Sequence, residues 1–119
     1  MENYDISDAQ ITASSQFDVQ HAARNARLNF NPRTSPLAGA WCVPMNARHH
    51  QWLQVDFEEK VMVTQMATQG RFYDGITERN KFQQWVKTLS LNYSRDGVLF
   101  KAYEQLGKVK VISDFISTR

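Results

Sequence analysis

Residues 52–57, Trp52-Leu53-Gln54-Val55-Asp56-Phe57, decide how this chain is read. On an extended backbone Trp52 and Gln54 fall on one face, while Leu53, Val55 and Phe57 fall on the other, because successive side chains of a strand point to opposite sides. Two further stretches behave in the same way. Val61 to Gln69 mixes β-branched with polar residues at short spacing, and Trp85 to Tyr93 places apolar residues at positions 85, 89, 91 and 93. Strands with one wet and one dry face are the signature of antiparallel sheets. Glu58-Glu59-Lys60 is expected to join the first two strands. The Asp96-Gly97 pair suits a tight turn with positive φ before Val98-Leu99-Phe100 resumes an apolar run. Only His21 to Leu28, a short run of good helix formers, reads as helix. The expected class is all-β.

Bulk numbers bound the rest. With 119 residues there is room for one domain and one core, so residues 1–119 are read as a single unit. A composition of 42% hydrophobic and 22% charged residues, with five glycines and three prolines, excludes general disorder. Fourteen Lys and Arg against twelve Asp and Glu leave a net charge of +2, too near balance for a nucleic-acid partner. No run approaches the roughly 18 apolar residues of a membrane span. The opening Met1-Glu2-Asn3-Tyr4-Asp5-Ile6-Ser7 has neither the basic flank nor the apolar stretch of a signal peptide. One cysteine, Cys42, forms no internal disulfide. No catalytic set, glycine-rich phosphate cradle or metal-binding spacing emerges, and no cofactor is expected. His49-His50 reads as a solvated turn, since neighbours on an extended chain point apart.

Two connections are long for a compact β-domain, Ser14 to about Gly39 and Gly70 to Gln84. Loops of such length usually carry function or are disordered. The second contains Phe72, Tyr73, Ile76 and Phe82 among polar residues, more apolar groups than a merely solvated turn needs.

The segments Ile11-Thr12-Ala13-Ser14-Ser15, Ala26-Arg27-Leu28-Asn29, Gly39-Ala40-Trp41-Cys42, Gln51 to Phe57, Ala67 to Arg71, Trp85-Val86-Lys87 and Tyr93 to Gly97 occur in this order. Together they closely resemble the coagulation factor V/VIII type C domain, also called the discoidin domain, from Met1 to about Lys110. The resemblance implies a jelly-roll-like antiparallel β-sandwich of the galactose-binding type, with hydrophobic and basic loops projecting from one end. It also implies a non-enzymatic module, secreted or facing outward as part of a longer protein. Such modules recognise anionic phospholipid, glycan, collagen or other receptors in cell adhesion. The alternative is an accessory domain that targets a larger enzyme or receptor.

The sequence departs from the family where its flanking cysteines and last core strands are expected, so the domain is read as incomplete at its C-terminus. Missing strands would leave backbone groups unpaired and an apolar face open. At ~25 cal/mol per Å² the loss amounts to several kcal/mol, comparable with the stability of a whole domain.

The resemblance also places the ligand-binding loops. Gln16 to His21 is the first spike, with Phe17, Val19 and His21 as contact residues. Asn29 to Thr34 is the middle one, with Phe30 and Arg33. Arg71 to Arg79 is the third, with Arg71, Phe72, Tyr73, Ile76 and Arg79. Its apolar residues either enter a lipid headgroup region or a partner's pocket, or fold back to cap the sandwich. Trp41, Trp52 and Trp85 are read as core, and Arg27 as a structural ion-pair or capping residue. Cys42 is either a buried free thiol or, in a complete parent protein, half of a disulfide with a C-terminal cysteine. Asn92-Tyr93-Ser94 matches the N-glycosylation sequon, making Asn92 a candidate acceptor.

Overall fold

A computed structural model describes residues 4–32, 36–47, 49–78 and 80–113. Its strands are β1 (Ile11–Ala13), β2 (Leu53–Val55), β3 (Thr88–Ser90), β4 (Asn92–Tyr93), β5 (Lys101–Ala102), β6 (Glu104–Gln105), β7 (Lys108–Val109) and β8 (Val111–Ser113). They pair antiparallel as β1–β2, β3–β8, β4–β5 and β6–β7. The only helical elements among the described residues are three short 3-10 turns, Asp8–Gln10, Val19–His21 and Ala23–Ala26. The all-β expectation holds.

The β1–β2 ladder follows the parity read from residues 52–57 in part, since Phe57, read on the dry face, is 38% exposed and Gln54, read on the wet face, is half-buried. Ile11 lies opposite Val55 and Ala13 opposite Leu53, and these are buried or half-buried, whereas Thr12, on the other face, is exposed. Backbone bonds from Ser14 N to the Trp52 carbonyl (3.0 Å) and from Asp56 N to the Gln10 carbonyl (2.8 Å) lengthen the pairing. Trp52 stands on the wet face and is exposed, as is Trp85, so neither belongs to the core. Trp41 is half-buried and donates its indole N–H to the Ser15 carbonyl at 2.8 Å.

Three local expectations change. Val61 to Gln69 forms no ladder, because alternation permits a strand but a partner strand has to make one. The Asp96-Gly97 turn is wider than a tight hairpin. Gly97 does adopt φ 72°, but the first paired residues across it are Tyr93 and Lys101. Asp96 Oδ1 accepts from Val98 N and Leu99 N, both at 2.9 Å, which holds the apolar run 98–100 inside the loop. His21 to Leu28 becomes two 3-10 turns instead of one helix, because Ala22 between them is extended (φ −70°, ψ 162°). The tightest hairpin is β6–β7, whose two-residue turn Leu106-Gly107 has positive φ at both positions, as a type I′ turn requires.

The core gathers in the N-terminal part and in the long loops, around Ile11, Ala22, Ala23, Ala38 and Phe72. Arg27, also buried, meets Asp8 at 2.6 Å and stacks its guanidinium 4.3 Å over the Tyr4 ring, the structural role anticipated for it. Many large apolar side chains from Val61 onward stay exposed. The accessible surface is 9313 Å², against about 6,600 Å² for a folded monomer of this mass.

Candidate functional site

The long loops are stitched together by their backbones. Phe17 N donates to the Cys42 carbonyl (2.7 Å), Cys42 N to the His21 carbonyl (3.2 Å) and Ala38 N to the Gln20 carbonyl (2.9 Å). Phe72 N donates to the Gly39 carbonyl (3.0 Å) and Arg71 N to the Gln84 carbonyl (2.8 Å). The segments around residues 17–21, 38–42, 71–72 and 84 thus form one unit. Buried Asn25 adds a cross-tie, its amide donating to the carbonyls of Gln20 and Ala38.

Side chains clamp the first and third spikes. Asp18 caps the turn Val19–His21, its Oδ1 accepting from Gln20 N (2.9 Å) and His21 N (3.0 Å). The same oxygen lies 2.7 Å from His21 Nδ1, and this bond to His21, with the adjacent backbone donors, holds the Asp18 carboxyl below its ordinary range. His21 Nε2 faces Arg71 Nη2 at 3.3 Å. Arginine only donates, so Nε2 accepts and Nδ1 carries the proton toward Asp18. Arg71 Nη1 also donates to Gln84 Oε1 (2.8 Å) and lies 3.9 Å from Cys42 Sγ. Burial pushes the Cys42 thiol up, against the opposing pull of Arg71. The Phe17 ring packs edge-on against His21, with centroids 5.3 Å apart.

The third spike turns on one residue pair. Phe72 is only 7% exposed, so of the two alternatives for this loop it follows folding back and does not stand at a ligand-facing tip. Its backbone sits against Gly39 so closely that a methyl on Gly39 would overlap Phe72 Cβ and stand 3.1 Å from its Cα and carbonyl oxygen. Gly39 N in turn donates to buried Asn80 Oδ1 (3.1 Å), and Asp74 N to the Asn80 carbonyl (3.2 Å). Beyond this anchor the chain reverses. Asp74 Oδ1 accepts from Ile76 N (3.0 Å) and Thr77 N (3.1 Å), and Gly75 takes φ 68° beneath the Tyr73 ring. The result is a formed tip with Tyr73 47% and Ile76 86% exposed. On the first spike Phe17 is 55% and Val19 65% exposed.

His21, expected at the ligand surface, is buried and serves as the clamp between spikes; Arg71, half-buried, is its partner. Phe30 is half-buried, on a segment tied to position 69 by Asn29 N donating to Gln69 Oε1 at 2.7 Å. Arg33 and Arg79 lie outside the described residues. Phe17, Val19, Tyr73 and Ile76 are thus solvent-facing groups on two loops that the His21–Arg71 contact ties to each other. Sequence reading did not find the clamp partners Asp18 and Gln84, nor Gly39 and Asn80 under the tip. The Asp-Gly pair at 74–75 was an available signal for the tip turn. Among the described residues no group of three or more His, Cys, Asp or Glu side chains is placed to hold a metal. No helix among them is long and apolar enough to cross a membrane.

Comparison with known sequences adds a family to this geometry. The profile of the F5/8 type C domain, a galactose-binding-like β-sandwich, matches residues 10–117. The chain is 35% identical to discoidin domain-containing receptor A of Caenorhabditis elegans, across 99% of its own length and 15% of that protein. With human coagulation factor VIII the identity is 38%, across 93% of the chain and 4% of the relative. With human neuropilin-1 it is 35%, across 82% and 9%. The chain thus spans a small fraction of the relatives it matches.

Proposed function

Because this chain belongs to the F5/8 type C, or discoidin, domain family, we propose that it is an extracellular binding module for cell adhesion or surface attachment. Its contact surface is the paired tip of Phe17, Val19, Tyr73 and Ile76. The observation that carries this reading is the His21–Arg71 clamp, at 3.3 Å between Nε2 and Nη2, which joins two loops that both project apolar groups into solvent. Solvated apolar groups on a formed loop gain about 1.5–3 kcal/mol each when fully covered. A glycan face, an acyl-headgroup boundary or a protein pocket each supplies such cover. The charge of the third loop is mixed, since Asp74 and Glu78 follow Arg71 in sequence, which argues for apolar contact over simple attraction to anions. The chemistry is recognition without catalysis.

The test offers the protein immobilised collagen, a glycan array and anionic liposomes, then repeats the positive surface with Tyr73→Ala plus Ile76→Ala and with Phe17→Ala plus Val19→Ala. Loss of binding in either pair with an unchanged melting curve is expected. Binding that survives both pairs refutes the tip as the contact surface. A second reading, a targeting domain attached to a catalytic partner, is favoured by one relative, the discoidin domain-containing receptor tyrosine kinase B of Caenorhabditis elegans, of which the matched region is 12%.

A further inference from the structure

We propose that Asn92 is an N-glycan acceptor whose sugar stands on the outer, polar side of the β4–β5 ladder. The inference rests on the outward-facing reading above, since glycan transfer occurs in the secretory lumen. The sequon Asn92-Tyr93-Ser94 has no proline at its centre. A sequon in a strand is compatible with the folded domain only if its asparagine lies on the solvent side. Here the pairing decides the side.

Asn92 lies opposite Ala102 and Tyr93 opposite Lys101, and the bond from Tyr103 N to the Leu91 carbonyl (2.8 Å) carries the register one step further. Even positions therefore share one side, Ser90 and Asn92 with Ala102 and Glu104. Odd positions share the other, Leu89, Leu91 and Tyr93 with Lys101 and Tyr103. Val111, opposite Ser90, shares the even side and is exposed. On the odd side Leu89 and Leu91 are half-buried while Tyr93, Lys101 and Tyr103 are exposed, and on the even side Ser90, Asn92 and Glu104 are exposed beside half-buried Ala102. Asn92 is exposed, and its side-chain amide makes no hydrogen bond among the described residues. Its cross-strand neighbour is a methyl group, which leaves room for a sugar to lie over the strand.

Ser94 fixes the order of events. In the folded chain its hydroxyl donates to Asp96 Oδ1 (2.9 Å) and accepts from Gly97 N (2.9 Å). Those bonds exist only when the 94–100 loop is closed, so the hydroxyl is available to a transferase on the unfolded nascent chain. In the transfer Asn92 Nδ2 bonds to C1 of the first N-acetylglucosamine of a lipid-pyrophosphate-linked oligosaccharide. The C1–O bond to phosphate breaks, the lipid pyrophosphate leaves and the amide releases one proton. No redox partner is needed.

The experiment expresses the full chain in eukaryotic cells behind a secretion leader, with a known sequon in a C-terminal tag as an internal control for entry into the lumen. Peptide N-glycosidase treatment and peptide mass spectrometry read occupancy at Asn92. The expected result is a mobility shift beyond that of the tag, abolished in Asn92→Gln and Ser94→Ala and retained in Ser94→Thr. Asn92→Gln leaves the Ser94 turn untouched, which separates loss of the sequon from loss of fold. A secreted chain with an occupied tag and a bare Asn92 overturns the proposal and leaves the binding reading standing, because that reading is judged by ligand capture alone.

Discussion

Replacing Phe72 with alanine separates the anchor from the tip. Phe72 is 93% removed from solvent and packed on Gly39, and truncating a buried phenylalanine costs about 3–5 kcal/mol. Small domains hold roughly 5–15 kcal/mol in total, so Phe72→Ala is expected to leave little margin. With a urea m-value of about 2 kcal/mol/M, the unfolding midpoint falls by about 1.5–2.5 M at unchanged slope. Ile76→Ala, at a residue 86% exposed, is expected to move stability by no more than ~0.5 kcal/mol. Its effect belongs to binding, where one covered aliphatic side chain is worth about 1.5–3 kcal/mol, or about 10- to 150-fold in Kd. Urea denaturation followed by tryptophan fluorescence, together with surface-binding isotherms, reads both variants. A Phe72→Ala protein with an unshifted midpoint and lost binding would refute the division into anchor and tip.

Three further outcomes are expected from the same geometry. Gly39→Ala places a methyl against Phe72 Cβ and backbone and is expected to destabilise by about 1–3 kcal/mol through overpacking, read as a lower thermal midpoint; an unshifted midpoint would show that the loops do not meet there. Asp18 titrates below its ordinary value of 3.8 in the folded chain, so its contribution is present above that pH and lost as pH falls through the depressed folded value. Melting temperatures of wild type and Asp18→Asn are therefore expected to differ at neutral pH and to converge below 3.8. Cys42, its thiol pushed up by burial, is expected to alkylate more slowly near neutral pH than a free cysteine and to reach the normal rate in denaturant; equal rates in the folded protein would place it at the surface.

Parity carried most of what the sequence disclosed. Leu53 and Val55 face Ile11 and Ala13 as the alternation of residues 52–57 requires, and Leu89 and Leu91 are half-buried between exposed neighbours in the later strands. Parity failed at Val61 to Gln69, because a strand needs a partner as well as a pattern. Trp52 shows the cost of setting parity aside, because its place in the strand framework suggested core although alternation already put it on the wet face, where it is exposed. Leu106-Gly107 was a readable turn signal, an X-Gly pair between two short polar-apolar runs, and its positive φ values close the tightest hairpin.

The site was harder to read for a physical reason. Phe72 and Tyr73 are adjacent, so on extended backbone they must diverge, one inward and one outward. Which one turns inward is decided by Gly39, distant in sequence, whose missing side chain admits the Phe72 backbone. Once Phe72 is fixed, Asp74 caps the reversal and Ile76 has only solvent to face. The same logic gives His21 its place: held by Asp18 and Arg71, it joins the two spikes. A tip ordered before contact surrenders less conformational freedom on binding than a slack loop does. On the proposed reading, buried Phe72 and His21 serve recognition indirectly, by ordering the two loops that carry exposed Phe17, Val19, Tyr73 and Ile76.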